Sequence, residues 1–222
     1  MATFLRPLSY RYQWIYDGFS RLAAISVGGE ARFRQLAFTD IPFEPGMQIL
    51  DLCCGSGQAT RFLVDRLRQS NPNSGTVIGL DASPLSLQRA RQNVPAAEFV
   101  EGWAEKLPFA DASFDLVHTS VALHEMEPAQ LREILQQVYR VLKPDGIFTF
   151  VDFHAPTNPL FIPGLSLFLF LFETETAWKL IATDLAQELA AVGFTVQRQT
   201  LYAGGSLQVV QASRSPHPTN SA

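Results

Sequence analysis

Short apolar runs and amphipathic stretches alternate along the chain from residue 47 onward. Residues 47–53 (MQILDLC) read as a buried strand, and 58–69 as a helix with Phe62, Leu63 and Leu67 turned inward. A strand follows over 76–81 (TVIGLD). The helix over 84–93 begins on Pro84, where a missing N–H and a fixed φ suit the first turn. Residues 98–103 and 114–120 are further strands. Over 128–142, Leu131, Ile134, Leu135, Val138 and Leu142 recur at helical spacing, and Lys143-Pro144-Asp145-Gly146 ends that helix as a turn. Residues 147–153 (IFTFVDF) are a nearly all-apolar strand. A late helix over 177–192 stops at Gly193, and 194–201 and 206–212 pair as a hairpin through Ala203-Gly204-Gly205.

Strands alternating with helices, several of them continuously apolar, predict an α/β fold with a parallel sheet covered on both faces. Trp14, Phe19, Leu22, Ile25, Phe33, Leu36 and Phe38 give residues 1–46 an intermittent apolar spacing, which predicts a helical cap laid over the sheet. Residues 47–212 are then the main domain, with an apolar insertion over 157–176 and a flexible tail over 213–222. No repeat or linker divides the chain further.

The chain has 222 residues, 47% of them hydrophobic and 17% charged, which suits one domain with a full core. The net charge is −4, from 17 Lys and Arg against 21 Asp and Glu, and no basic block interrupts it, so no nucleic-acid partner is expected. Cys53 and Cys54 are adjacent. Neighbours on a strand point to opposite faces, so the pair suggests small apolar side chains, with no disulfide and no metal expected. The opening MATFLRPLSYRYQ lacks a basic region followed by an apolar run and a cleavage site, and a cytoplasmic location is expected.

The chemistry concentrates at Ile49-Leu50-Asp51-Leu52-Cys53-Cys54-Gly55-Ser56-Gly57. An acidic residue near a strand end precedes a glycine-containing turn into a helix, whose free N–H groups suit a carboxylate. Asp81, ending the next strand, can accept both hydroxyls of a ribose. A nicotinamide dinucleotide would want G-x-G-x-x-G, but Thr60 holds the third position and Asp51 would set negative charge beside a pyrophosphate. S-adenosylmethionine (SAM), with its sulfonium and ammonium groups, gains from the same carboxylate.

These motifs continue in order with Glu101-Gly102-Trp103-Ala104-Glu105-Lys106-Leu107-Pro108-Phe109, then Phe114-Asp115-Leu116-Val117, then Arg140-Val141-Leu142-Lys143-Pro144-Asp145-Gly146. The series resembles the class I SAM-dependent methyltransferases over roughly residues 45–155. The resemblance implies a Rossmann-like, mostly parallel seven-stranded sheet that ends in an antiparallel hairpin, with SAM as cofactor. It implies a cofactor site of Asp51, Cys53, Gly55, Gly57, Asp81, Ala82, Trp103, Ala104 and Thr119. Asp51 would face the methionine amino group, Gly55 and Gly57 would lie against the methionine part, and Ala104 would meet adenine through its backbone. Two positions depart from the family. Cys53 stands where many relatives have a glycine, and Trp103 stands where an Asp or Asn usually faces adenine; its indole either stacks on adenine or belongs to the core.

Acceptor-side residues should follow the carboxyl ends of the fourth and fifth strands: Thr119, Ser120, His124, Glu125, Asp152, Phe153 and His154. His124 and His154 are candidate catalytic bases, with Asp152 as base or orienting partner; a lone histidine can equally be a polar contact in the pocket wall. Residues 160–172 (LFIPGLSLFLFLF) carry no charge over thirteen positions, too short for a membrane span and interrupted by Pro163-Gly164. They predict a helix that caps the site, an apolar small-molecule acceptor and peripheral membrane contact. Tyr16-Asp17, Gly28-Gly29, Arg32, and the stretch from Ala191-Val192-Gly193-Phe194 through Tyr202-Ala203-Gly204-Gly205 are similar to the UbiE-like ubiquinone/menaquinone C-methyltransferases. That likeness implies methylation of a prenylated quinol. O- or N-methylation of another metabolite and a non-catalytic SAM-binding regulator are the alternatives.

Overall fold

A computed structural model describes residues 27–70 and 75–214. Tyr16-Asp17, residues 1–26 of the expected cap and the tail beyond Arg214 lie outside the described residues. The described elements are α1 (Glu30–Gln35), β1 (Gln48–Leu52), α2 (Gln58–Ser70), β2 (Thr76–Asp81), α3 (Pro84–Asn93), β3 (Glu98–Glu101), β4 (Phe114–Ser120) and α4 (Pro128–Val141). They continue with β5 (Leu142–Phe153), α5 (Ile162–Phe172), α6 (Glu175–Ile181), α7 (Leu185–Val192), β6 (Phe194–Tyr202) and β7 (Leu207–Arg214).

The strands form one seven-stranded sheet in the order β3-β2-β1-β4-β5-β7-β6. Neighbours from β3 to β5 are parallel, and β7 runs antiparallel to both β5 and β6. Strand side chains alternate between faces, so the sheet carries two cores. Leu50, Leu52, Val117, Phe148, Phe150 and Val210 pack against α4, α6 and α7 through Leu131, Ile134, Leu135, Val138, Leu180 and Leu189. Ile49, Val77, Leu116, Val151 and Val209 meet Leu63, Val64 and Leu67 of α2, with Leu36, Ala37 and Phe38 of the turn after α1. Each fully buried aliphatic side chain contributes roughly 1.5–3 kcal/mol.

Several expectations are corrected. The helix read over 177–192 is two helices, because the chain leaves α6 at Ala182 and the Asp184 carboxylate caps α7 by accepting from Gln187 N. Residues 143–146 form no free turn but a bulge inside β5. Leu142 pairs with Phe114 and Ile147 with Leu116, and Asp145 takes a positive φ of 63° between them. Lys143 Nζ reaches Asp115 at 2.8 Å across this bulge, and Asp115 also accepts from Gln48 N. Pro163-Gly164 lie in the first turn of α5, where proline is tolerated. The third strand ends at Glu101, two residues earlier than read. Ser213 and Arg214 do not belong to a loose tail, since they pair with Ile147, Thr195 and Phe194. Cys53 and Cys54 follow β1 rather than sit on it. Both are free thiols, and burial pushes both up in pKa, so they are poor nucleophiles.

Candidate functional site

The carboxyl edge of β1 turns into α2 through Cys53–Gly57. Cys53, Gly55 and Gly57 all take positive φ, at 56°, 54° and 81°. The two glycines serve different ends. A Cβ at Gly57 would press on Val94 at 3.2 Å and Ala90 at 3.4 Å, so that position lets α2 and α3 pack closely. A Cβ at Gly55 would meet nothing within 4 Å, so its absence leaves the loop backbone open to a ligand.

Two carboxylates flank the loop. Asp51 is buried beneath it and accepts from Thr60 Oγ1 at 2.5 Å. Burial raises its pKa to about 7, while the Thr60 hydroxyl and the Arg34 guanidinium pull the other way. A cationic ligand group would satisfy this carboxylate in its charged form. Asp81, half-buried, accepts from Gly55 N and from Ser83 N, each at 2.9 Å, so it ties the loop to the β2 end and turns the chain into α3.

The remaining expected cofactor residues are distributed along the same edge. Trp103 is 67% exposed, which removes the core-aromatic alternative and leaves its indole accessible to a ring. Ala104 is buried and Ala82 exposed. Thr119 lies fully buried within the sheet, paired with Leu52 and Phe150, while Ser120 after it is half-buried. Ser120 Oγ accepts from Arg34 Nη1 at 3.3 Å, and Arg34 Nη2 also donates to Gln58 Oε1. Arg34 therefore stands between the start of α2 and the end of β4, electrostatically coupled to Asp51. An open cleft of about 420 Å³ lies beside the loop, lined by Ala31, Ser56, Gly57, Gln58, Arg61 and Asn93 among others. It includes neither Asp51 nor Asp81 and so adjoins the cradle from outside.

On the acceptor side the structure joins His124 and Asp152 and separates His154. His124 Nδ1 lies 2.8 Å from Asp152 Oδ1, and both side chains are buried. Asp152 Oδ2 accepts from Leu123 N at 2.8 Å and His124 N at 3.3 Å, while Oδ1 also accepts from Phe153 N. His124 Nε2 lies 3.3 Å from Glu173 Oε2, a buried carboxylate. Burial opposes the imidazolium, but the Asp152 and Glu173 carboxylates outweigh it and raise the pKa to about 10. His154 is half-buried and its Nδ1 faces Gly205 O at 2.9 Å, so Nδ1 is the donor of that hydrogen bond.

Glu173 and Arg34 were not among the expected site residues. Glu173 had a weak signal, as the first charge after thirteen uncharged residues. Arg34 is one of several arginines near the start of the chain, and its place emerges through tertiary packing alone. His118, also unforeseen, is a core residue: burial lowers its pKa to about 3, and its ring meets Phe38 at 4.7 Å.

Comparison with known proteins bears on this arrangement. The family model described as a methyltransferase domain matches residues 49–146. An uncharacterized methyltransferase of Synechocystis sp. is 58% identical over 96% of this chain and 97% of its own length. A demethylmenaquinone methyltransferase of Lactobacillus johnsonii is 33% identical over 71% of this chain and 68% of its own. In three dimensions the chain is similar to the crystal structure of a SAM-dependent methyltransferase from Aquifex aeolicus. The TM-score is 0.61 at 19% identity, covering 82% of this chain and 89% of the other.

Proposed function

Because the chain belongs to the class I SAM-dependent methyltransferases, we propose that it methylates a lipophilic small molecule, most specifically the ring of a prenylated quinol. When bound, SAM supplies an electrophilic methyl group on a sulfonium. The residues around the loop fit such a ligand: open space over Gly55, a buried acid in Asp51 for the ammonium group, Asp81 for the ribose and an accessible indole at Trp103. Arg34, on the other side of Asp51, suits the methionine carboxylate.

A carbon or phenol acceptor must lose a proton as it gains a methyl group. His124 is ill suited to take that proton, because two neighbouring carboxylates favour its protonated form and it is buried. His154, with Nδ1 committed to Gly205 O, keeps Nε2 as an acceptor, and we assign it the role of base. Asp152 accepts four hydrogen bonds and is a positioning residue for the turn after β4.

The observation that carries the lipophilic acceptor is α5. It follows β5 without a charge, and Ile162, Leu167 and Phe170, with Leu160 in the turn just before it, stay 47–85% exposed. Phe168 meanwhile packs on Phe153, which packs on His124, linking this apolar surface to the sheet edge. No helix among the described residues is long and apolar enough to cross a membrane, so a lipid contact would be peripheral. A relative that bears the name demethylmenaquinone methyltransferase agrees with this reading. Incubation with methyl-labelled SAM and a demethylated prenyl naphthoquinol, beside a panel of polar metabolites, tests it. The label should enter the lipid phase, and incorporation confined to the polar panel would refute the lipophilic acceptor.

A further inference from the structure

Folding brings three side chains together at the end of the sheet. His124 and Glu125 belong to the turn after β4, and Glu173 is the C-cap of α5. One ligating atom from each lies within 4.8 Å of the other two. His124 and Glu173 are buried, while Glu125 is exposed and opens the cluster to solvent.

The imidazole is oriented as metal-binding imidazoles are. Its Nδ1 is held by the Asp152 carboxylate at 2.8 Å, and Asp152 is itself fixed by three backbone N–H groups. A carboxylate behind the ring fixes the tautomer and makes the far nitrogen a stronger ligand. That far nitrogen, Nε2, belongs to a residue that is 0% exposed and lies 3.3 Å from Glu173 Oε2 without well-aligned hydrogen-bond geometry. The local charge points the same way. Asp152, Glu173 and Glu125 set three carboxyl groups around this one histidine.

We propose that His124 Nε2, Glu125 and Glu173 bind a divalent first-row cation of the Mn²⁺ or Zn²⁺ class, with Asp152 orienting the histidine. One imidazole nitrogen with carboxylate oxygens is a borderline donor set that suits these ions better than Ca²⁺ or a soft Cu(I). Binding exchanges the Nε2 proton for the ion and releases that proton to solvent. Three protein ligands leave coordination positions for water on the open Glu125 side. The ion would also fasten the end of α5 to the sheet edge.

The test uses the full chain after treatment with a chelator. Mn²⁺ is titrated and followed by the loss of its free-ion paramagnetic resonance signal, and Co²⁺ by its visible absorption. The expected result is saturable binding of one ion per chain, with a rise in melting temperature. Glu173→Gln and His124→Gln should weaken it at least about tenfold, and Asp152→Asn by about tenfold through the orientation of the ring. Glu125 is exposed, so Glu125→Gln will fold, and it too should weaken binding. Absence of saturable binding below about 1 mM, a weak-affinity threshold, would overturn the site. So would Mn²⁺ affinity left unchanged by Glu125→Gln. None of these readouts uses SAM or an acceptor, so their failure leaves the methyl-transfer reading untouched.

Discussion

With its folded-state pKa raised to about 7 from an ordinary 3.8, Asp51 binds a proton over a pH range in which the unfolded chain has released it. Its contribution to stability is therefore full below about pH 4 and is lost as pH rises to about 7, at up to roughly 1.4 kcal/mol per pH unit. Urea unfolding of the cofactor-free protein between pH 5 and 8 should show this fall, and Asp51→Asn should flatten it. An ammonium group beside the carboxylate favours its charged form, so SAM binding near pH 6.5 should release a proton. Calorimetry in two buffers of different ionisation heat measures that release, which Asp51→Asn should abolish. Asp81→Ala should weaken SAM by on the order of 1.5–3 kcal/mol, read by calorimetry, as expected for a lost charge-assisted acceptor. Because Asp81 also holds Gly55 N and Ser83 N, this variant should melt earlier as well. Cys53 occupies the left-handed region with a side chain, so Cys53→Gly should stabilise the fold by up to about 1 kcal/mol, measured by denaturant midpoint. Asp51 and Asp81 were legible because each lies at the end of an apolar run that fixes its place on the sheet edge. Arg34, Thr60 and Glu173 were not, since each meets its partner through packing between elements.

At the level of elements, α5 separates two kinds of apolar side chain that look alike in sequence. Leu169 and Phe172 are buried, whereas Leu167 and Phe170 are exposed by 59% and 65%. Leu169→Ala should therefore cost about 2–5 kcal/mol. Leu167→Ser with Phe170→Ser should change stability by no more than about 1 kcal/mol, as surface substitutions do. If the exposed face meets lipid, the double variant should lose association with neutral phospholipid vesicles, measured by co-sedimentation, and that association should be insensitive to salt. Equal sedimentation of parent and variant would count against peripheral contact. A continuous run of thirteen uncharged residues hides this division, because periodicity is hard to read where nearly every position is apolar. The opposite difficulty arose over 177–192, where a plausible helical spacing runs straight through the break at Ala182. Asp184 was the available sign, a capping residue in the middle of the pattern. The elements over 76–81, 84–93 and 114–120, by contrast, carry proline starts or polar ends that mark their limits.

At the scale of the molecule, the alternation of strand and helix was enough to imply a parallel sheet and its functional edge, since right-handed crossovers leave few ways to wind such a chain. The insertion of β7 between β5 and β6 was less apparent, because a hairpin pattern gives the pairing of its two strands and is silent on which one docks. That order governs how the protein must be made. During synthesis β5 leaves the ribosome with Phe148 and Phe150 in place and no neighbour on its outer side, and β6 emerges next but does not pair with it. Until β7 arrives, the nascent chain displays an unpaired apolar edge of the kind that recruits other chains. A chain terminated after Tyr202 should accordingly accumulate as aggregate rather than as a six-stranded domain, as sedimentation of freshly translated product would show. β7 is thus the segment that makes the earlier strands safe, and the interval before its arrival is when the nascent chain is most exposed to aggregation.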